Sequence, residues 1–134
     1  MKKLIAALCL CVLTIVAIPI QAQQSFSSVA LLAAATTTET GEAMAIRCAN
    51  RTFQATGTTS AGAGAAVVII EASDKPTPVT STNVDWVTLG TITLTLGTTQ
   101  TGDGFVSFAP WRWTRARVSS ISGTNAAVNA YLGC

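Results

Sequence analysis

Four aromatic and basic side chains alternate along one stretch near the end of the chain: Trp111, Trp113, Arg115 and Arg117. If Thr114, Ala116 and Val118 face the core of a sheet, the alternation places these four side chains on the outward face. Trp and Arg stack as cation–π pairs and often dominate the binding energy of interfaces. The stretch therefore predicts a contact face for a neighbouring subunit or for a flat sugar ring. The alternative is that a tryptophan caps the core and the arginines only solvate a strand.

The sequence is poorly supplied for catalysis. It contains no His, which excludes a Ser or Cys nucleophile activated by His. A glycosidase-type carboxylate pair would have to come from six acidic residues, most of them at predicted strand ends or turns: Glu39, Glu42, Glu71, Asp74, Asp85 and Asp103. The last four could also meet around a structural calcium ion, but no spacing requires it. We predict no catalytic residue, no metal site and no cofactor.

The cysteines fall into two groups. Cys9 and Cys11 lie in an apolar N-terminal run, whereas Cys48 and Cys134 lie in the remainder of the chain. Two cysteines in an oxidising compartment indicate one disulfide. A bond within one chain is the simpler expectation, but Cys134 is the final residue and can also reach a neighbouring subunit. Zinc is not indicated, because two cysteines without His cannot complete its usual ligand set.

The N-terminus has the three parts of a secretory signal peptide. Lys2 and Lys3 precede a run of apolar residues over positions 4–20, and Ala22 supplies a small residue at a cleavage site. We expect a signal peptide over residues 1–22, a β-sandwich domain over residues 23–134, and a secreted protein that is extracellular or periplasmic. The alternative is an uncleaved membrane anchor, for which the run is barely long enough.

Cleavage would make the chain electrically neutral. The whole sequence carries a formal charge of +2 from eight basic and six acidic residues, and Lys2 and Lys3 leave with the signal. A neutral chain has no electrostatic footprint for nucleic acid and no excess charge that attracts it to a membrane surface. Low net charge also favours self-association. We therefore expect no nucleic-acid partner and no membrane contact after cleavage.

Short alternating runs rich in Thr, Val, Ile and Ala, separated by Gly, Ser, Asp and Pro, predict an all-β protein. The predicted segments are residues 26–35 (a strand or a short helix), 42–48, 51–56, 65–73, 86–96, 105–108, 111–121 and 126–132. They amount to about eight strands. This number is typical of a single antiparallel β-sandwich of the jelly-roll or Ig-like Greek-key type.

Several details of this sandwich follow from the sequence. Residues 65–73 are the most apolar stretch and predict a central strand. The apolar phase changes at Gly90, which predicts a bulge or tight turn there. The Gly-rich and Ser-rich residues 57–64 predict a flexible loop, and residues 101–104 predict a turn. A second turn at residues 122–125 would join the last two strands in a hairpin.

Parts of the second half resemble small β-sandwich proteins of tailed bacteriophages. The similar runs are residues 50–55, 62–64, 67–73, 86–90, 113–118 and 122–124. The resemblance covers about residues 46–132 and lies in patterning, not in a catalytic motif, so it carries over no functional residue. It implies a virion-associated or fibre-associated sandwich that packs beside copies or partners. The signal peptide and the cysteines Cys48 and Cys134 depart from that pattern.

These observations favour an exported, non-catalytic structural protein that self-associates or decorates a surface, as a filament, a layer or a virion-like assembly. Its partners would be copies of itself or another surface protein, and residues 23–35 could be donated to a neighbour as an extra strand. The alternative is an extracellular module that binds carbohydrate or a cell surface through Trp111 and Trp113. Unchanged carbohydrate binding in Trp113→Ala would count against this alternative.

Overall fold

The computed structural model describes residues 28–134 and contains strands but no helix over that range. The strands are β1 (Ser28–Ala35), β2 (Arg51–Thr58), β3 (Ala61–Ser73), β4 (Val87–Leu96), β5 (Thr101–Ser107), β6 (Trp113–Thr124) and β7 (Ala127–Gly133). The predicted signal peptide, residues 1–22, lies outside the described residues. Within them no helix is long and apolar enough to cross a membrane.

The strands form two antiparallel sheets that pack face to face. One sheet has the order β1-β7-β2-β5 and the other the order β4-β3-β6. The predicted antiparallel β-sandwich is therefore confirmed, with seven strands in place of about eight. Residues 42–48 do not form the expected strand, because only Met44 makes a bridge, to Thr114. Residues 39–44, here called the edge segment, instead follow β6 irregularly.

The core lies between the sheets and comes from alternate residues of the strands. Phe53 and Ala55 of β2 point inward, as do Val68 and Ile70 of β3 and Leu94 of β4, all at most 2 % exposed. Inward side chains of β6 and β7 complete the cluster. This period-two burial is what the sequence alternation predicted. β3 is also central in its sheet, between β4 and β6.

The phase change at Gly90 is a β-bulge, as predicted. Ile70 pairs with Gly90, but Glu71 pairs with Thr88, so Leu89 is the extra residue. The glycine is required by a close approach from the other sheet. A Cβ atom at Gly90 would lie 2.6 Å from Cζ of Phe105. The absence of a side chain at Gly90 thus lets the Phe105 ring of β5 pack against β4 across the interface between the two sheets.

The loops and turns were predicted less accurately than the strands. β2 runs to Thr58 and β3 begins at Ala61, so most of the predicted loop 57–64 is strand. Residues 101–104 are not a turn either, because they pair with residues 54–57 of β2 and satisfy their backbone groups there. Small, turn-like side chains do not prevent pairing once a neighbouring strand offers a full ladder.

The predicted hairpin between the last two strands is wrong. β6 pairs with β3, whereas β7 pairs with β1 and β2 in the opposite sheet. The short link between them crosses from one sheet to the other. Its backbone turns through left-handed conformations at Gly123 (φ 117°) and Asn125 (φ 48°). Gly and Asn adopt such conformations more readily than other residues, so the same residues that indicate a hairpin also permit this crossing.

The two ends of the described chain are held within the same sandwich. β1 is a strand, which settles the choice between strand and helix, and it pairs with β7 of its own chain. Cys48 precedes β2 and Cys134 follows β7, two strands that pair side by side. The structure joins these cysteines in a disulfide within one chain, with their Cα atoms 5.9 Å apart. Residues 28–35 are therefore not donated to a neighbour in this structure.

Candidate functional site

A buried charged cluster lies on the outer face of the β4-β3-β6 sheet. Residues 74–86, here called the covering loop, connect β3 to β4. Beneath this loop Arg115 is 0 % exposed and Glu71 is 3 % exposed. The two residues are paired neighbours on β6 and β3, and Arg115 Nε donates to Glu71 Oε2 over 2.8 Å. A buried charge of this kind is tolerated only when it is paired and hydrogen-bonded.

Arg115 also holds the covering loop in place. Its guanidinium donates to the carbonyl of Thr80 and, over 2.8 Å, to Oδ1 of Asn83. It lies 4.2 Å from the centroid of the Trp86 ring, within the range of a cation–π contact. The indole N–H of Trp86 in turn donates to the carbonyl of Val79 over 2.8 Å. One arginine therefore joins the sheet to both halves of the loop.

A salt bridge closes the base of the covering loop. Lys75 Nζ pairs with the carboxylate of Asp85, and the other oxygen of that carboxylate accepts the Val79 N–H over 2.9 Å. The Lys75 hydrogen bond and then the Val79 N–H lower the pKa of Asp85 below its usual value. The ionised form of Asp85 is thus the one that the folded loop favours.

The predicted outward face is divided by this loop. Arg115 does not face solvent, so its assignment to an exposed interface is wrong. Arg117 is partly exposed, at 25 % of its side chain, and also pairs with Glu71, over 3.2 Å. Trp111 and Trp113 are both half-buried and line two different pockets. The sequence alternation was correct, but it carried no sign that thirteen residues of loop would cover the arginine.

The first pocket, here called the tryptophan cleft, has a volume of about 650 Å³. It opens between the edge segment and the covering loop, and Trp113 contributes its only aromatic ring among the described lining residues. Its lining consists of Thr40, Gly41, Glu42, Ala43, Thr77, Pro78, Thr80, Ser81 and Trp113. The cleft thus combines one indole ring with four side-chain hydroxyls and one carboxylate.

Both walls of the tryptophan cleft are fastened to β6. The edge-segment wall is held by the Gly41 N–H, which donates to the Ala116 carbonyl over 2.9 Å, and by reciprocal bonds between Met44 and Thr114. The loop wall is held by Arg115 through Thr80. Arg115 is therefore a positioning residue for the cleft rather than a surface contact. These hydrogen bonds hold both walls of the cleft in place, and such preorganisation lowers the entropic cost of binding.

The second pocket, here called the arginine pocket, has a volume of about 580 Å³ and lies at the disulfide. Its lining consists of Arg47, Cys48, Ala49, Arg51, Pro110, Trp111 and Arg112. Arg51 is 1 % exposed. Its guanidinium donates to Thr114 Oγ1 over 2.9 Å and to the carbonyls of Ile46 and Trp111. It thereby fixes both segments that form the pocket.

Sequence reasoning missed the arginine pocket, although part of its signal was present. Arg51 shares the inward face of β2 with Phe53 and Ala55, so the alternation already placed its charge at the edge of the core. Burial lowers the pKa of Arg51, and the carboxylate of Asp74 acts in the opposite direction. Arg47 and Arg112 lie outside the regular strands and gave no periodic signal.

The carboxylates considered above do not come together as a site. Glu71 is paired with two arginines, Asp85 is paired with Lys75, and Asp74 accepts the backbone N–H of Arg112 over 2.8 Å. Asp103 lies on β5, an edge strand of the other sheet. Over residues 28–134 no group of three or more His, Cys, Asp or Glu side chains is placed to hold a metal ion.

A comparison with solved structures finds a similar protein. No protein-family model and no curated protein matches the chain. The crystal structure of PBSX exported protein XepA is similar with a TM-score of 0.48 and 15 % sequence identity, over 80 % of this chain. The chain spans 36 % of the length of that protein. A similarity at this level does not carry a function from one protein to the other.

Proposed function

We propose that this protein is an exported, non-catalytic module that binds carbohydrate in the tryptophan cleft. The observation that carries the proposal is the cleft itself, an open pocket of about 650 Å³ lined by Trp113, four hydroxyl side chains and Glu42. Clefts that combine an aromatic surface with a few placed polar groups are typical ligand sites. No side chain of the described residues fills this cleft.

The lining matches the two surfaces of a sugar ring. A pyranose has an apolar face of C–H groups, which packs on an indole, and a rim of hydroxyls, which needs donors and acceptors. The ring of Trp113 offers the first surface. The hydroxyls of Thr40, Thr77, Thr80 and Ser81 can donate and accept, and the carboxylate of Glu42 accepts only. A neutral saccharide thus finds both kinds of contact in one cleft.

Export is supported by the disulfide. The Cys48–Cys134 bond closes a loop with a sequence separation of 86 residues, and such bonds persist in oxidising compartments. This agrees with the signal-like residues 1–22. An extracellular or periplasmic module with a preformed cleft fits a role in attachment to a surface polymer. The chemistry required is binding alone, because the one carboxylate that lines the cleft has no second acid beside it among the described lining residues.

Self-association is the second candidate, and β5 favours it. β5 is an edge strand of its sheet; Val106 near its end is 51 % exposed, and Phe108, which follows the strand, is 74 % exposed. An exposed apolar edge can pair with a second copy. However, the disulfide and β1 are both satisfied within one chain, so neither supplies a link to a neighbour. Light scattering across a hundredfold concentration range decides: a dimer that Phe108→Asp dissociates supports this candidate, and a monomer throughout removes it.

The test of carbohydrate binding is a glycan screen followed by isothermal titration of the best ligand. Trp113→Ala should weaken binding by roughly 10–30-fold, the loss typical of a dominant aromatic contact. The matched control is Phe108→Ala, which truncates an exposed aromatic that lines neither pocket and should leave affinity unchanged. Trp113→Phe keeps an aromatic ring and guards against misfolding. Equal affinities for wild type and Trp113→Ala would refute the proposal.

A further inference from the structure

The arginine pocket concentrates positive charge that no salt bridge within the described residues neutralises. The six basic residues of residues 28–134 divide equally. Lys75, Arg115 and Arg117 form salt bridges with carboxylates. The other three, Arg47, Arg51 and Arg112, make no salt bridge within the described residues, and all three line this one pocket. Half of the positive charge of a nearly neutral domain therefore converges on about 580 Å³.

Arg51 makes the pocket a built site rather than a loose surface cluster. It is 1 % exposed, yet its hydrogen-bond acceptors are a hydroxyl and two carbonyls, all of them neutral. Its Nε is a buried donor without an acceptor among the described residues. Asp74 is the carboxylate that acts on it electrostatically, at a distance beyond a salt bridge. A buried cation with neutral partners retains an unmet demand for negative charge.

The rest of the lining defines the shape of the ligand. Arg47 and Arg112 are exposed at the mouth of the pocket, so both can reach a ligand from solvent. The Cys48–Cys134 disulfide fixes the position of the chain next to Arg47. Trp111 and Pro110 add an apolar surface beside the arginines. Guanidinium groups bind carboxylate and phosphate oxygens in fork geometry, and the apolar surface suits a ring that carries such a group.

We infer that the arginine pocket binds an oxyanion, a carboxylate or phosphate group, on an acidic polysaccharide. The oxyanion site stands on residues that the tryptophan cleft does not use. Only the choice of a polysaccharide as its carrier rests on the proposed function. Trp111 and Arg112 immediately precede Trp113 in sequence, so the two pockets flank one short segment. An acidic sugar chain could then place a neutral residue on one side and a charged residue on the other.

The experiment uses the secreted protein with three probes: an oligogalacturonate, its methyl ester and inorganic phosphate. Isothermal titration should give the free acid tighter binding than the ester, with a dissociation constant that rises with salt. Arg47→Gln and Arg112→Gln should each weaken the binding of the free acid by roughly tenfold, the usual effect of one charge-assisted hydrogen bond. Neither should change the binding of the ester. Asp103→Asn is the control, since it removes one charge on β5 that lines neither pocket and should leave the binding of the acid and of the ester unchanged.

Each outcome bears on the inference separately from the proposed function. Equal binding of acid and ester, or unchanged binding of the acid in the Arg47→Gln, Arg112→Gln double variant, overturns the oxyanion site. Phosphate binding that depends on these arginines, without binding of the oligogalacturonate, overturns the polysaccharide as carrier. If Trp113→Ala loses binding of the methyl ester, that result reports on the tryptophan cleft alone. The proposed function can therefore fail while the oxyanion site stands, and the reverse.

Discussion

Glu71→Gln should destabilise the protein strongly, because it removes the carboxylate opposite a fully buried arginine. Arg115 is 0 % exposed, and its remaining partners are the Thr80 carbonyl, the Asn83 side chain and the Trp86 ring. Breaking one side of a buried pair typically costs about 3–5 kcal/mol. We expect the lower end, about 3 kcal/mol, since glutamine keeps one acceptor oxygen and Arg117 can turn to solvent.

Urea unfolding followed by tryptophan fluorescence measures this loss, and calorimetry should show a fall in Tm of about 12 °C for a domain of this size. The control is Asp103→Asn on edge strand β5, where Asp103 Oδ1 only accepts the Gly104 N–H. That variant should stay within about 0.5 kcal/mol of wild type. A loss below about 1 kcal/mol in Glu71→Gln would mean that the cluster is solvated, and that Arg115 is free to serve an interface after all.

Three further outcomes are expected. Reduction of the disulfide should lower the free energy of unfolding by about 4–5 kcal/mol, seen as a lower urea midpoint with dithiothreitol; an unchanged midpoint contradicts the intrachain bond. The Lys75 hydrogen bond holds the pKa of Asp85 below its ordinary value, so the stabilising effect of the carboxylate is present above the ordinary pKa and is lost as the pH falls through the lower folded value. Tryptophan emission should therefore shift to the red in acid in the wild type, and Asp85→Asn should remove this acid-dependent shift. Gly90→Ala should cost about 1–3 kcal/mol by overpacking against Phe105, whereas Gly97→Ala, with nothing within 4 Å, should cost little; equal losses in thermal denaturation argue against the close approach.

The strands were predictable because burial in a sandwich alternates with a period of two. The alternation of apolar and polar residues around Phe53 and Ala55, and around Leu94, identifies the inward face of each strand whichever strand it pairs with. The bulge at Gly90 was predictable for the same reason, since an extra residue must reverse the phase. The pairing partners were not predictable, because local composition does not determine which strands pair with each other. The turn-like residues 122–125 therefore suggested a hairpin where the chain changes sheet.

The candidate site was predictable only in part. Alternation placed Trp113 and Arg115 together on one face, which is correct. Their different exposure to solvent depends on the covering loop. The path of a Pro-containing loop over a sheet is a tertiary property without a local sequence signal. The arginine pocket needed contacts that are distant in sequence, for example Arg51 with Thr114. Its one local signal was a charged residue at an inward position of β2.

The central claim is that sugar lies on Trp113, and the most direct measurement is an NMR titration of the ¹⁵N-labelled protein with the best glycan of the screen. The account predicts that the indole N–H resonance of Trp113 shifts, together with the backbone amides of residues 40–43 and of Thr77, Thr80 and Ser81, which line the cleft. It also predicts that the Trp86 indole, bonded to Val79 beneath the loop, moves little. Shifts that leave Trp113 unchanged and collect on another face of the sandwich would contradict it.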